Sequence, residues 1–169
     1  MLLLGVLGCK SGMMMPLDRL RLPPQARQDT AELSELGAML FFDPRLSGLG
    51  TMSCASCHSP ELGFGDGLER SLGVHGEPMR RHTPHLFNLA WSRTFFWDGR
   101  AETLEDQARG PLNDPVEMDS SEALMVERLG AVPGYQEGFT EAFGDAAVTE
   151  DRVVEAIAAF ERTLVVDDA

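Results

Sequence analysis

The sequence predicts a mainly α-helical fold with a long looped middle. Apolar residues recur every three to four positions near 31–42, 119–132 and 149–165, which is typical of amphipathic helices. Gly- and Pro-rich stretches dominate residues 43 to 118, and little of the chain alternates as a β-strand does. A chain with few helices and such long loops needs something besides its own side chains to fill the core.

The first helical segment, AELSELGAMLFF, ends at Asp43-Pro44, because the residue before a proline is disfavoured in a helix. Its predicted buried face consists of Leu33, Leu36, Leu40 and Phe41.

The second helical segment, DSSEALMVERLGAV, has Asp119 three residues before Glu122, which predicts an Asp-led capping box. In the third, TEDRVVEAIAAFERTLV, Thr149 is the predicted N-cap. The predicted apolar faces are Leu124, Met125 and Leu129 in the second and Val153, Ile157, Phe160 and Leu164 in the third.

The amino terminus is predicted to be a sorting segment. Residues 1–9, MLLLGVLGC, resemble the lipobox of a bacterial lipoprotein signal, in which the cysteine, here Cys9, is acylated. The run lacks the positive residues that usually begin a signal, so a start further upstream or a buried apolar strand remains open. Residues 10–30 contain three prolines and predict a linker, which leaves 31–169 as the domain. We therefore expect a periplasmic protein, in its lipidated form anchored to the membrane.

The chain is strongly acidic, with 27 Asp and Glu against 14 Lys and Arg and a net charge of −13. Such a surface repels nucleic acid and anionic lipid headgroups and attracts basic proteins. We expect no nucleic-acid partner.

The motif CASCH, residues 54–58, is the strongest chemical signal in the sequence. A zinc site would need two further ligands at compatible spacing, and a redox dithiol would follow a strand of a βαβ unit, which the sequence does not predict. In C-x-x-C-H, by contrast, the thiols form thioethers to haem and the histidine ligates the iron. The motif therefore assigns Cys54 and Cys57 to attachment of one haem c and His58 to its proximal ligand.

The ligand on the other face of the iron is not determined by spacing. Histidine and methionine are the usual choices in electron-transfer cytochromes. The candidates are His75, His82, His85, Met52, Met79 and Met118.

Four motifs occur in the order FFDPRLS, CASCH, FWDGRA and PVEM. From about Leu36 to Val165 the chain resembles the N-terminal half of the bacterial di-haem cytochrome c peroxidase and MauG family. The resemblance implies a cytochrome c-like helical domain whose long loops wrap around one covalent haem, with its terminal helices paired. It also implies a cytochrome-c peroxidase-type oxidoreductase that reduces hydrogen peroxide with electrons from a small c-type cytochrome or cupredoxin.

The resemblance also implies residue roles. His75 matches a displaceable distal ligand of the iron, although it is offset by one position from the expected spacing. Trp97 matches a residue that relays electrons between two haems, and Gln107 and Glu117 match a pair that lines the peroxide pocket. The family binds calcium partly through an asparagine where this chain has His82, which weakens the calcium expectation and makes a haem propionate the alternative partner of His82.

Elementary chemistry agrees with the role of Glu117, because a carboxyl buried in an apolar haem pocket can move a proton between peroxide oxygens. Two other interpretations remain open at this point. Glu117 could be a charge that favours a helix start, and Trp97 could be an ordinary core residue.

The sequence contains one C-x-x-C-H motif, whereas family members carry a second in a C-terminal domain. We therefore expect the peroxidatic half of such an enzyme, which needs a second haem domain in cis or in trans. A truncated gene, a split gene and a free-standing protein are all compatible with this expectation. The alternative functions are a single-haem electron-transfer cytochrome, a MauG-like oxidant that modifies a protein, and a non-catalytic remnant.

Overall fold

The computed structural model describes residues 28–166, so the lipobox-like segment 1–9 and nearly all of the linker 10–30 lie outside the described residues. Residues 28–166 form α-helices joined by loops with short 3-10 turns, and isolated bridges take the place of β-strands in this range. The helices are α1 (Ala31–Phe41), α2 (Cys54–Cys57), α3 (Leu104–Asn113), α4 (Glu122–Gly130), α5 (Pro133–Phe143) and α6 (Glu150–Arg162). The predicted mainly α fold is confirmed.

The centre of the fold is the crossing of α1 and α6, which confirms the expected pairing of the terminal helices. At this crossing a Cβ atom on Gly37 would lie 1.8 Å from the carbonyl oxygen of Ala156, so only glycine allows the two backbones to approach so closely. Around the crossing, Phe41 of α1 packs against Phe160 of α6 with ring centroids 5.1 Å apart. All four residues of the predicted apolar face of α1 are buried.

Of the two predicted N-caps, the cap of α6 is correct and the cap of α4 is wrong. The hydroxyl of Thr149 accepts a hydrogen bond from the backbone N–H of Arg152 at 3.3 Å, as expected of the N-cap of α6. The cap of α4 is Ser121, not Asp119, because Ser121 Oγ accepts from the N–H of Leu124. Asp119 has a φ of 51°, outside any helix, and its N–H donates to the carbonyl of Asp114.

Two helices were not expected from the sequence. Helix α3 begins at a Thr103 cap and contains Pro111, and helix α5 begins with Pro133. Their buried residues recur every four positions, but the Gly110-Pro111 pair in α3 and the Pro133-Gly134 pair in α5 are typical of loops. Each is stabilised by packing on a terminal helix, α3 on α6 and α5 on α1.

Among the described residues no helix is both long enough and apolar enough to cross a bilayer.

The Gly37 contact yields the first testable prediction. Gly37→Ala forces α1 and α6 apart and should lower the free energy of unfolding by about 1–3 kcal/mol, the usual cost of overpacking. Guanidinium unfolding of the haem-loaded protein measures the change.

Gly130→Ala is the matched control, because a Cβ at Gly130 of α4 meets no atom within 4 Å. That variant should be neutral or slightly stabilising, since alanine has the higher helix propensity. Equal stability of the two variants would contradict the proposed close crossing.

Candidate functional site

The CASCH motif forms a single helical turn, α2, at the wall of a large cavity. The approach to this turn is fixed by Ser47, whose hydroxyl accepts hydrogen bonds from the N–H groups of Thr51 and Met52 at 3.1 and 3.0 Å. The turn itself begins with a hydrogen bond from the N–H of Ser53 to the hydroxyl of Ser56, 3.0 Å long. These bonds bring Cys54 and Cys57 to the same cavity.

His58 follows directly at the C-terminal end of this turn and also lines the cavity. Its Nδ1 lies 2.9 Å from the carbonyl oxygen of Phe64, which can only accept, so Nδ1 is the donor. Burial lowers the pKa of His58, and the hydrogen bond to Phe64 opposes this shift only in part. The ring is therefore neutral and oriented by its Nδ1 bond, and Nε2 is the nitrogen that could ligate iron.

The two cysteines of the motif are free thiols in the structure. Burial raises the pKa of Cys54 to about 12, and the nearby carboxyl of Glu161 adds to this shift. Burial also raises the pKa of Cys57, with further contributions from Asp66 and Glu117. Within residues 28–166 no group of three His, Cys, Asp or Glu side chains is arranged to hold a metal ion. Protonated thiols of this kind are poor zinc ligands and poor redox nucleophiles.

The cavity has a volume of about 1010 Å³, at the upper limit of the roughly 300–1,000 Å³ usual for ligand pockets. Loops and helices on several sides supply its wall. Its apolar lining includes Leu86, Leu89, Phe95, Phe96, Ala108, Pro111, Leu112, Met118 and Ile157. A large apolar cavity with two thiols and an oriented neutral imidazole at one wall fits a covalently attached haem.

The predicted peroxide-pocket pair lines the same cavity. Gln107 comes from α3, and Glu117 comes from the turn that follows it. Asp114 shapes this turn, because its side chain accepts hydrogen bonds from the N–H groups of Val116 and Glu117 at 2.8 and 3.3 Å. Glu117 lies in neither α3 nor α4, so its interpretation as a helix-start charge is wrong.

The environment of Glu117 favours its protonated form. Burial raises the pKa of its carboxyl, the negative charge of Asp114 raises it further, and the positive charge of Arg100 opposes both. A raised pKa makes the Glu117 carboxylate a stronger proton acceptor than an ordinary exposed carboxylate.

The structure does not bring His75 to the cavity wall. Its side chain is 48% exposed, and its Nε2 lies 3.4 Å from a carboxylate oxygen of Asp119. The loop that carries it packs on the Glu117 turn, because the N–H of Val74 donates to the carbonyls of Val116 and Glu117 at 3.1 and 3.0 Å. Ligation of iron by His75 would require this loop to move, and it stays a prediction.

The other candidates for the distal ligand do line the cavity. They are Met52, Met79, Met118, His82 and His85.

Trp97 lies at the rim of the cavity, and 56% of its side chain is exposed. Its indole N–H donates to the carbonyl oxygen of His82 at 3.1 Å, and the two rings lie 4.8 Å apart. The next residue, Asp98, is held by Arg81 and Arg100 at 3.2 and 2.9 Å. The interpretation of Trp97 as a core residue is therefore wrong, and its side chain extends from the cavity to the surface.

Sequence reasoning missed Glu161, which is 5% exposed and lines the cavity from α6. A signal was present, because Glu161 follows Val153 and Ile157 at four-residue intervals and so shares their buried face.

A C-x-x-C-H turn and an oriented histidine in the wall of a large apolar cavity define a c-type haem protein. The chain belongs to the di-haem cytochrome c peroxidase family, whose model matches residues 31–169.

Similar proteins carry names from both branches of this family. The methylamine utilization protein MauG of Methylorubrum extorquens is 51% identical over 147 residues, which cover 86% of this chain and 42% of that relative. The cytochrome c551 peroxidase of Pseudomonas aeruginosa is 42% identical over 137 residues, covering 80% of this chain and 40% of that relative.

Solved structures agree on the fold. The crystal structure of a MauG-like protein associated with microbial copper homeostasis superposes with a TM-score of 0.76 at 35% identity, covering 90% of this chain and 43% of that one. The diheme peroxidase BthA from Burkholderia thailandensis gives a TM-score of 0.69 at 32% identity, covering 80% and 39%. This chain thus spans less than half the length of these relatives.

The site geometry predicts covalent attachment through two thiols. Expressed with a haem-maturation system, the chain should carry one haem that resists acid-acetone extraction, because thioethers survive acid. Changing both Cys54 and Cys57 to serine should release all of the haem, as measured by absorbance of the extracted protein. Cys9→Ser is the control and should keep its haem. Zinc in place of haem, or complete extraction from the parent chain, would contradict the assignment.

Proposed function

We propose that this chain reduces hydrogen peroxide to water at a haem c attached to Cys54 and Cys57, as the peroxidatic half of a di-haem enzyme. One observation carries the proposal. The amide of Gln107 and the carboxyl of Glu117 line the same cavity as the haem-attachment motif. These are a hydrogen-bond donor that does not titrate and an acid whose pKa is raised by burial.

The haem, when bound, supplies the iron that exchanges electrons with peroxide. The residues of this chain supply orientation and protons. His58, fixed by its hydrogen bond to Phe64, holds the proximal side. Gln107 can donate to a peroxide oxygen and hold the substrate in place. Glu117 can accept a proton from one peroxide oxygen and return it to the other, so that water is the leaving group.

Reduction of one peroxide to two waters consumes two electrons and two protons. We propose that the electrons come from a small c-type cytochrome or cupredoxin and pass through a second haem domain. Trp97 is the proposed entry point, because its ring reaches from the cavity rim into solvent and is fixed by its bond to His82.

A second candidate is a single-haem electron carrier. It is supported by the methionines in the cavity wall, Met79 and Met118 among them, since a permanent thioether ligand is typical of electron-transfer cytochromes. A MauG-like oxidation of a protein is the third candidate, suggested by the name of the relative from Methylorubrum extorquens.

We also propose a periplasmic location, because bacterial haem c is attached outside the cytoplasm. Acylation of Cys9 would then anchor the chain to a membrane.

Glu117→Gln should slow the reaction with peroxide by about 10²-fold or more, because the amide cannot carry the proton. Stopped-flow mixing of peroxide with the haem-loaded chain, paired with a C-terminal haem domain, measures this rate. Glu127→Gln is the matched control, since Glu127 lies exposed on α4 and outside the cavity lining. A wild-type rate in Glu117→Gln would rule out the proposed proton transfer.

The predicted ligation by His75 is tested through the iron. If His75 binds ferric iron after its loop moves, the ferric spectrum should be low-spin, and His75→Ala should make it high-spin and open it to azide or cyanide. Met79→Leu, which alters a methionine of the cavity wall instead, should leave the spectrum low-spin. The opposite result, with Met79→Leu high-spin and His75→Ala unchanged, would assign the ligand to Met79 and favour the carrier.

A further inference from the structure

Glu161 is a buried acid that the proposed mechanism does not use. It lies in the last turn of α6 and lines the cavity, with 5% of its side chain exposed. No described residue gives its Oε2 a hydrogen bond. Nearly all buried polar atoms in proteins have a partner, so this oxygen is expected to have one inside the cavity, and a proton on the carboxyl would remove its buried charge.

The neighbouring cation does not neutralise Glu161. The guanidinium of Arg162 is shared between two other carboxylates: it lies 3.2 Å from Asp29 and also bonds Glu105. Two negative charges thus surround one positive charge beside Glu161. The carboxyl also lies at the C-terminal end of α6, where the partial negative charge of the helix dipole disfavours an ionised carboxylate.

Burial and the neighbouring charges together determine the pKa of the Glu161 carboxyl. Burial raises the pKa of Glu161 to about 8, the charge of Arg162 lowers it in part, and the charge of Glu105 raises it. Asp29 contacts Arg162, and Cys54 is a further titratable neighbour of Glu161 that no longer titrates once it forms a thioether.

Glu161 is also electrostatically coupled to the haem-attachment site. Glu161 and Cys54 line the same cavity, and the negative charge of Glu161 raises the pKa of the Cys54 thiol. A haem attached at Cys54 would lie in that cavity, so its charge would act on Glu161 through the same low-dielectric surroundings.

We propose that Glu161 binds one proton when the haem in this cavity is reduced and releases that proton when the haem is oxidised. In balanced form, one electron from a one-electron donor would convert ferric to ferrous haem, and one proton from the solvent would form an O–H bond on the Glu161 carboxylate. Glu161 thereby becomes a second proton-carrying residue of the cavity, beside Glu117. This inference rests on haem binding as proposed above.

The sign follows from charge. Reduction removes one positive charge from the cavity, so the carboxylate of Glu161 is less stabilised and its pKa is higher in the ferrous protein than in the ferric one. The reduction potential must therefore fall as pH rises between these two pKa values, by at most about 59 mV for each tenfold change in proton concentration.

The test is a spectroelectrochemical titration of the haem-loaded full chain from about pH 6 to about pH 10. In wild type the reduction potential should fall with rising pH between the two pKa values of Glu161. In Glu161→Gln the potential should not change with pH in that range. Glu127→Gln removes an exposed acid of α4 outside the cavity lining and should keep the slope. Retention of the slope in Glu161→Gln, or its loss in Glu127→Gln, would overturn the inference.

A second measurement does not depend on any variant being stable. Reduced-minus-oxidised infrared spectra of wild type should show the C=O band of a neutral carboxylic acid gained on reduction near pH 8. That band should be absent in Glu161→Gln if this variant folds, and absence of the band in wild type overturns the inference. A chain that binds no covalent haem would instead overturn the proposed function.

Discussion

The contact of Gly37 with the backbone of Ala156 sets the geometry on which the rest of the molecule depends. Because the two helices cross at backbone distance, α6 is held deep in the fold, and one of its faces is free to form part of the cavity wall. Ile157 and Glu161 lie on that face, one and two turns beyond Val153. A wider crossing would displace both residues relative to the CASCH turn.

The segments that line the cavity are held in place by different kinds of contact. The side chain of Ser47 accepts a backbone hydrogen bond from Met52 just before the haem-attachment turn. The side chain of Asp114 likewise accepts one from Val116 in the Glu117 turn. Gln107 and Glu161 project from helices that pack on each other. The loop of His75, by contrast, is joined to the Glu117 turn through the N–H of Val74, which donates to the carbonyls of Val116 and Glu117.

The sequence predicted those parts of the fold whose signal is local. The terminal helices carry strong apolar periodicity, and CASCH carries its chemistry in consecutive residues. Helices α3 and α5 were missed because their glycine and proline residues are typical of loops, although their buried residues recur with a helical period. The cap of α4 was misassigned because the bond between Asp119 and Asp114 lies outside the four-residue window in which capping patterns are recognised.

The functional site shows the same division. Pattern alone assigned Cys54, Cys57 and His58, whereas the family resemblance nominated Gln107 and Glu117. The position of His75 depends on where its loop packs, which spacing does not reveal. Glu161 was missed because acids are mostly exposed in proteins, and this expectation outweighed its position on the apolar face of α6.

A cavity of about 1010 Å³ in a domain of this size has a thermodynamic consequence. Its apolar wall must be covered by a bound group if the loops around it are to keep their packing. An ordinary ligand would provide this cover only in proportion to its free concentration, by mass action. A ligand joined through Cys54 and Cys57 has no dissociation constant under native conditions. Thioethers at these two cysteines would therefore make the packing of the loops a permanent property of each matured chain, independent of how much haem the surrounding compartment holds.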